Sequence, residues 1–465
     1  EAGYSINNDA SHDNVLIGMN ACQGGSGTFL GNVGIGSRVM NGVTNNSQTG
    51  TVAIGSDALY TLTSGEGNLA IGYKALYSEN DGHYNTGIGY EAFTDQTGTT
   101  GQVGNTGIGY KVGHELTSGM ENTYLGMFAG RYNKTGNQNT YIGFLAGRGN
   151  SNQSNTGNTA VGNYAMAAIS TGTQNVAVGS GSLRDISDGI RNTSVGAFSA
   201  HNVTSGLDNV AVGANSGFAL TTGDYNTAIG AYALYTEDIG RGTVAVGNAA
   251  LYSQDSDSSD EITRNVGIGQ ESGHFNVTGQ YNTYVGYRAG YGVSGNSHLS
   301  TVAIGTQALN GITTGNYNTA IGDRAGYTLT TTTSTVLIGF QAGYGLNSTD
   351  ANGAVMIGYR AGSIASHPAG STLIGSGSGG QITYGDSNTI VGSTAGATIT
   401  TGGGNTIVGQ FACGFSGATL SGDYNTVMGY TAGQNLGGAA NRNVMIGRNA
   451  GQTATTSSGS VFIGE

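Results

Sequence analysis

Proline occurs once in 465 residues, tryptophan never and cysteine twice, and only 9% of the residues are charged. Each scarcity removes a class of protein. With proline nearly absent and glycine not recurring at every third position, a collagen triple helix is excluded. So little charge over so long a chain is foreign to an ordinary enzyme of two or three domains. Intrinsic disorder fails for another reason: the 37% hydrophobic content is regularly spaced, and the net charge is modest for the length. Only 15 Lys plus Arg stand against 27 Asp plus Glu, and the resulting charge of −12 repels phosphate backbones, so no nucleic-acid partner is expected. No run approaches the roughly 18 apolar residues of a membrane-spanning helix. No charged start followed by an apolar stretch marks a signal peptide. Membrane insertion by this segment is therefore not expected. The sequence opens on Glu1 and stops at Glu465, one residue after a repeat's glycine, which reads as a processed product or a fragment of a longer chain.

What is abundant is glycine, with 87 residues, and it keeps time. Aligned on the box Asn-[Thr/Val]-x-[Ile/Val]-Gly, the chain contains 26 copies, and 16 of the 25 intervals between box glycines are 17 residues long. A fixed period of this size is the signature of a repeat architecture. Inside the box, apolar or β-branched residues alternate with period two, so Thr319 and Ile321 share one face and Ala320 takes the other, as in a short strand. Three residues past each glycine stands Ala, Ser or Val, which leaves room for only a thin core.

Seventeen residues are too few to bury themselves but suffice for one solenoid turn of two short strands and two tight corners. The fold expected is all-β: a parallel β-solenoid, or β-roll, of about 26 coils running through 1–465 as one continuous array. At ~4.8 Å per layer it would be on the order of 120 Å long. The box asparagines, among them Asn85, Asn122, Asn139, Asn226, Asn282 and Asn318, are expected to bond their copies in adjacent layers as a ladder. The box glycines, among them Gly89, Gly126, Gly143, Gly230, Gly286 and Gly322, mark a corner where positive φ or close backbone approach excludes a side chain. Intervals longer than 17 gain their extra residues between the fifth position past the glycine and the next Asn, so all insertions leave from one edge. One coil buries few large apolar side chains. Lateral association that covers a second apolar face remedies this, and a homotrimer is expected.

"NTAIG" (318–322), "TVAIG" (51–55 and 301–305) and "NVAVG" (175–179) resemble the head repeat of YadA-like trimeric autotransporter adhesins. Similar Asn-Thr-Ala-Ile-Gly arrays occur in phage tail fibres and bacterial surface fibres. The resemblance covers essentially the whole chain. It implies a trimeric left-handed roll with an adhesive or structural role on the surface of a cell or virion, whereas the general crossover rule favours right-handed connections. The repeat is longer than the adhesin head's, and no heptad stalk or membrane-anchor barrel is seen.

Candidate sites have plain alternatives. The glycines lack the following helix and Gly-Lys-Ser/Thr ending of a phosphate loop. His114, His201 and His274 fall five residues past a box glycine, in one column with Tyr60, Tyr77, Arg131, Arg148 and Arg184. They lie too far apart along the array to gather one metal within a chain. Cys22 and Cys413 occupy the first and twenty-third copies. Roughly 105 Å of layers between them excludes an intrachain disulfide, and both read as small apolar fillers. Asp255, Asp257 and Asp260, with Glu261, form a weak calcium candidate in the longest insertion, "SQDSDSSDEITR" (253–264), where a solvated acidic loop is the better reading. Tyr84, Tyr225, Tyr281, Tyr317 and Tyr424, each just before a box Asn, are possible glycan contacts if they form rows on which sugar rings stack. No nucleophile and base stand at defined spacing, so neither enzymatic activity nor a cofactor is expected. Two functions remain. The first is a projecting fibre with a loop edge or tip that contacts a receptor. The alternative is a repeated face that binds carbohydrate, or ice, the latter suggested by "TLTTTTST" (328–335) although Thr ranks are not kept from coil to coil.

Overall fold

The computed structural model describes residues 2–3, 11–23, 27–42, 47–98, 101–150, 153–258, 262–347, 351–414 and 419–465. The chain divides into two compact units, Glu1–Asn226 and Thr227–Glu465, and each is a parallel β-solenoid. Every box forms a three-residue strand that ends one residue before its glycine, from Val15–Ile17 to Val210–Val212 in the first unit and from Thr227–Ile229 to Val461–Ile463 in the second. Within each unit consecutive boxes pair parallel and in register. Thr106, Gly107 and Ile108 lie beside Thr123, Tyr124 and Leu125, and Thr319, Ala320 and Ile321 beside Val336, Leu337 and Ile338. The longest insertion does not disturb this: Val244 still faces Val266. The layers on either side of the insertion stay aligned.

The middle residue of each box points inward. Ala320 is fully buried while Ile321 is 37% exposed. Small residues three past the glycine, such as Ala325 and Ser182, are also fully buried, so two walls of small side chains face each other across the core. Besides the apolar residue seven past the glycine, such as Leu62, Ile312 or Leu346, the space between these walls takes about one large side chain per turn, supplied from either wall. Where the box middle is small, as at Ala53, Ala70, Ala245 and Ala303, the fourth residue past the glycine is Leu59, Leu76, Leu251 or Leu309, all buried. Where the box middle is large, as at Tyr124, Tyr141, Tyr284, Leu337 and Met356, the fourth residue is Gly130, Gly147, Gly290, Gly343 or Gly362. A Cβ on Gly147 would lie 2.4 Å from the Tyr141 ring, and one on Gly343 2.7 Å from Leu337. In turns with glycine at both places a neighbouring layer fills the gap: the Phe93 ring occupies the space beside Gly107 and Gly113.

The second side of the turn differs from expectation. Instead of a second regular strand, most turns run through residues whose φ alternates in sign. Asp57 (+61°) and Leu59 (+51°), Lys74 (+54°) and Leu76 (+50°), and Glu91 (+52°) and Phe93 (+51°) are all left-handed. Alternation turns successive N–H groups toward opposite layers: Asp57 donates down to Ser37 (3.0 Å), and Leu59 donates up to Ala75 (3.0 Å). Each left-handed non-glycine residue costs about 1–2 kcal/mol. An N–H buried without a partner would cost as much or more, so stacking holds these residues there against their preference. Two-residue strand pairs form on the return toward the next box, at Phe29–Leu30 with Gln48–Thr49 and at Gly82–His83 with Gly101–Gln102.

Candidate functional site

The box asparagines run along the inside of the turn. The Asn122 Oδ1 accepts the Asn139 backbone N–H (3.0 Å) and Nδ2 (3.1 Å). Asn122 Nδ2 donates to the Gly136 carbonyl (2.9 Å). Asn139 is bonded in the same way, with its Oδ1 accepting from Asn158 (3.0 Å) and its Nδ2 donating to the Asn155 carbonyl (2.8 Å). Asn85 donates its N–H to Asn68 Oδ1 (2.8 Å) and accepts from Asn105 (3.1 Å). Asn226 donates to Asn209 (2.9 Å). Asn282 accepts from Thr301 (2.9 Å) and Asn318 from Thr335 (3.0 Å). All six are buried. At the box glycines φ is +136° for Gly89 and Gly143, +133° for Gly126, +128° for Gly230, +131° for Gly286 and +137° for Gly322. A Cβ on any of them would meet the next glycine's carbonyl oxygen, at 2.4 Å for Gly126 and 2.7 Å for Gly286. Both reasons for glycine therefore act at once.

Two kinds of column face outward. The residue just before each box glycine is Ile, Val, Leu or Met in all 26 copies. It stays in contact with solvent through both units: Ile108 is 40% exposed, Val178 38% and Ile446 41%. Past the glycine come aromatic columns. Tyr60 stacks on Tyr77 with ring centroids 5.1 Å apart, and Tyr235, Tyr252, His274 and Tyr291 continue one stack at 5.0–5.3 Å. In a second column Tyr73, Tyr90 and Tyr110 follow at 5.2 and 5.4 Å. Stacked rings cover one another's faces and offer mainly edges.

The five tyrosines before the box asparagines do not form rows; each stands alone in its column. The neighbours of Tyr84 in that column are Gly67 and Gly104, and those of Tyr317 are Ser300 and Ser334. All five are at least half exposed and have φ near +60°. Tyr84 and Tyr424 lie over Gly67 and Gly404 of the preceding layer. Tyr424 separates two shallow hollows, of about 400 Å³ beside Asn441 and Arg442 and about 360 Å³ beside Tyr384 and Asp386.

The acidic loop assembles no cation site among the described residues, where no group of three or more His, Cys, Asp or Glu could hold a metal. Asp255 and Asp257 are exposed. Partial burial and the nearby Asp238 and Asp257 hold the Asp255 carboxyl above its ordinary range. Asp260 and Glu261 lie outside the described residues. His114 sits 3.4 Å from Glu91, His201 bonds Asn202 at 2.8 Å, and burial lowers the pKa of the stacked His274. Cys22 and Cys413 are buried free thiols, both pushed up to about 12 by desolvation. No helix among the described residues is long and apolar enough to cross a membrane.

Three buried titratable groups escaped the sequence reading. The seventh position past the glycine is usually apolar, as in Leu62, Ile169 and Leu329, but holds Glu79 and Glu237 in two turns. Glu79 accepts from Gly82 N–H (2.7 Å), Gln96 Nε2 (2.7 Å) and Asn85 Nδ2 (3.3 Å). Glu237 accepts from Gly240 N–H (2.7 Å) and the Ser256 hydroxyl (3.1 Å). Burial raises both pKa values, against these hydrogen bonds. His298 is bonded through Nε2 to the Tyr284 hydroxyl, and burial depresses its pKa to about 4. For Glu79 and Glu237 the readable signal was an acid in a column that is mostly apolar.

The fold places the chain among parallel β-solenoid repeat proteins. Compared with known proteins, the sequence matches no family model and no curated protein sequence.

Proposed function

We propose that the chain is the shaft of a structural or adhesive fibre that projects from a cell or virion surface, self-associates as a homotrimer and presents a loop edge or distal tip to host or surface receptors. The observation that carries this reading is the outward column of Ile, Val, Leu and Met, one per turn within each unit, beside a thin core walled by small side chains. Such an apolar stripe is unfavourable in water and is satisfied by a second copy of itself, because every layer offers the same contact. Adding layers adds length without a new core, which suits a spacer. Its place is extracellular, and the chain itself performs no catalytic step and needs no cofactor.

Sedimentation equilibrium tests the reading. The trimer is expected to persist at micromolar concentration, and Val178→Lys with Val195→Lys to dissociate it while β circular dichroism is retained. A stable folded monomer of the unaltered chain would overturn it.

A second reading, a face that binds carbohydrate or ice, is favoured by the exposed Tyr424 between its two hollows. A glycan array and an ice-recrystallisation assay separate it from the first; a chain silent in both acts as a spacer.

A further inference from the structure

In the first unit two outward columns lose a large side chain in adjacent turns, and the two gaps join. In the column two past the glycine, Tyr164 and Phe198 are separated by Gly181, so two partly exposed rings (39% and 45%) stand two layers apart with a glycine between them. At ~4.8 Å per layer their backbones are roughly 9.6 Å apart, and the Phe198 ring leans over Gly181 to form one edge of a hollow. In the column five past the glycine, Arg148 and Arg184 are likewise separated by one turn, where buried Ala167 replaces the usual large residue. The first hollow, about 420 Å³, is lined by Asn163, Tyr164, Ser180, Gly181, Arg184 and Phe198. The second, about 140 Å³, shares Tyr164 and Arg184 with it and adds Arg148 and Asp185.

The charge of this place departs from that of the chain. Arg131 and Arg148 occupy the same column in successive turns, and like charges so placed repel. Arg131 is held over the rings of Phe128 (4.8 Å) and Tyr132 (4.7 Å). Arg148 meets the Gly149 carbonyl through Nε at 3.4 Å, and Arg184 approaches Asp185 only to 3.7 Å. Asp185 is the one carboxylate lining the second hollow, beside Arg148 and Arg184, in a chain of net charge −12.

We propose that this double hollow binds an acidic sugar residue of a glycan, with the pyranose ring in the first hollow against Tyr164 and Phe198 and its carboxylate or sulfate on Arg184 and Arg148. Asn163 and Ser180 line the same hollow and supply hydroxyl partners. Guanidinium groups match the two-oxygen geometry of such anions, and aromatic walls favour the C–H faces of a sugar. The site lies within one chain and rests neither on self-association nor on a repeated binding face.

Calorimetry on the full chain would use an oligogalacturonate (carboxylate), a heparin-derived hexasaccharide (sulfate), neutral maltohexaose, inorganic sulfate and a single-stranded oligonucleotide. One or both acidic oligosaccharides are expected to bind, more weakly as salt rises, and maltohexaose is not. Arg184→Gln and Arg148→Gln should each weaken binding about tenfold or more. Gly181→Phe should abolish it by filling the slot, and Arg442→Gln, beside the Tyr424 hollow, should leave it unchanged. Phe198 and Tyr164 already adopt positive φ in that column, and an unchanged melting temperature confirms that Gly181→Phe folds. Four results would overturn the proposal: equal binding of maltohexaose, unchanged binding by the Arg148 and Arg184 variants, sulfate ion binding as tightly as the oligosaccharides, or the oligonucleotide binding as tightly.

Discussion

The exchange of volume between the two walls of the core can be tested at Leu337 and Gly343. Leu337→Ala removes a large buried side chain that fills its turn together with Leu346, and the cavity should cost about 2–5 kcal/mol. Gly343→Leu alone places a Cβ 2.7 Å from Leu337 and 2.9 Å from Leu346, and such overpacking costs about 1–3 kcal/mol. The double variant instead copies the turn that already carries Ala303 and Leu309. Leu309 has φ +50° and Gly343 has φ +60°, so the incoming leucine enters a backbone well that leucine occupies elsewhere, at a cost of about 1–2 kcal/mol. The two changes should therefore compensate, with a favourable coupling of about 2 kcal/mol or more. Urea unfolding followed by circular dichroism gives the global effect. Hydrogen exchange across 330–350 gives the local one, which matters because long repeat arrays need not unfold in one step. A double variant as unstable as the sum of the singles would refute the idea that one volume is shared between the walls.

Gly126→Ala should destabilise its turn by about 3 kcal/mol or more, because φ is +133° and the new Cβ would lie 2.4 Å from the Gly143 carbonyl oxygen; a loss of protection confined to turns around 126 and 143 would be the readout. Asn139→Ala strands the Asn158 N–H and the Asn155 carbonyl, and thermal unfolding should show a loss of about 2–3 kcal/mol. Asn139→Asp should fare little better, having no amide to donate. The buried titrating groups act in opposite directions with pH. His298, with a folded pKa near 4 against an ordinary 6.5, binds fewer protons folded than unfolded in that window, so up to about 3 kcal/mol is lost as pH falls from 6.5 toward 4. Glu237, raised above 4.5, binds more protons folded, and its contribution is lost as pH rises through the folded value. His298→Gln should flatten the acid side of a melting-temperature profile, and Glu237→Gln should raise the melting temperature at pH 7 but not at pH 4.

Glycine timing and the period-two box made the strands and their register legible, because a strand of Thr-Ala-Ile closed by a glycine has one reading and recurs. The inward direction of the middle residue was not, since in Val52-Ala53-Ile54 both faces are apolar and only the opposite wall decides which is enclosed. The alternating φ was hidden for a deeper reason. Leu59, Lys74 and Glu91 have no local preference for the left-handed region, and only hydrogen bonds to the layers above and below place them there. Glu79 and Glu237 drew no notice as two acids among 27 Asp plus Glu, and only the packing shows that their column runs inside the roll. Tyr84 and Tyr317 suggested rows by type, but the spacing of their own column holds them apart.

The 22-residue interval between Gly247 and Gly269 leaves the pairing of Val244 with Val266 intact, so the roll is indifferent to what is spliced in after a turn's fifth position. Lengthening a loop at such a corner adds only a slowly growing closure entropy. Foreign peptides inserted at this edge would be displayed at chosen heights, one layer apart, on an undisturbed stack.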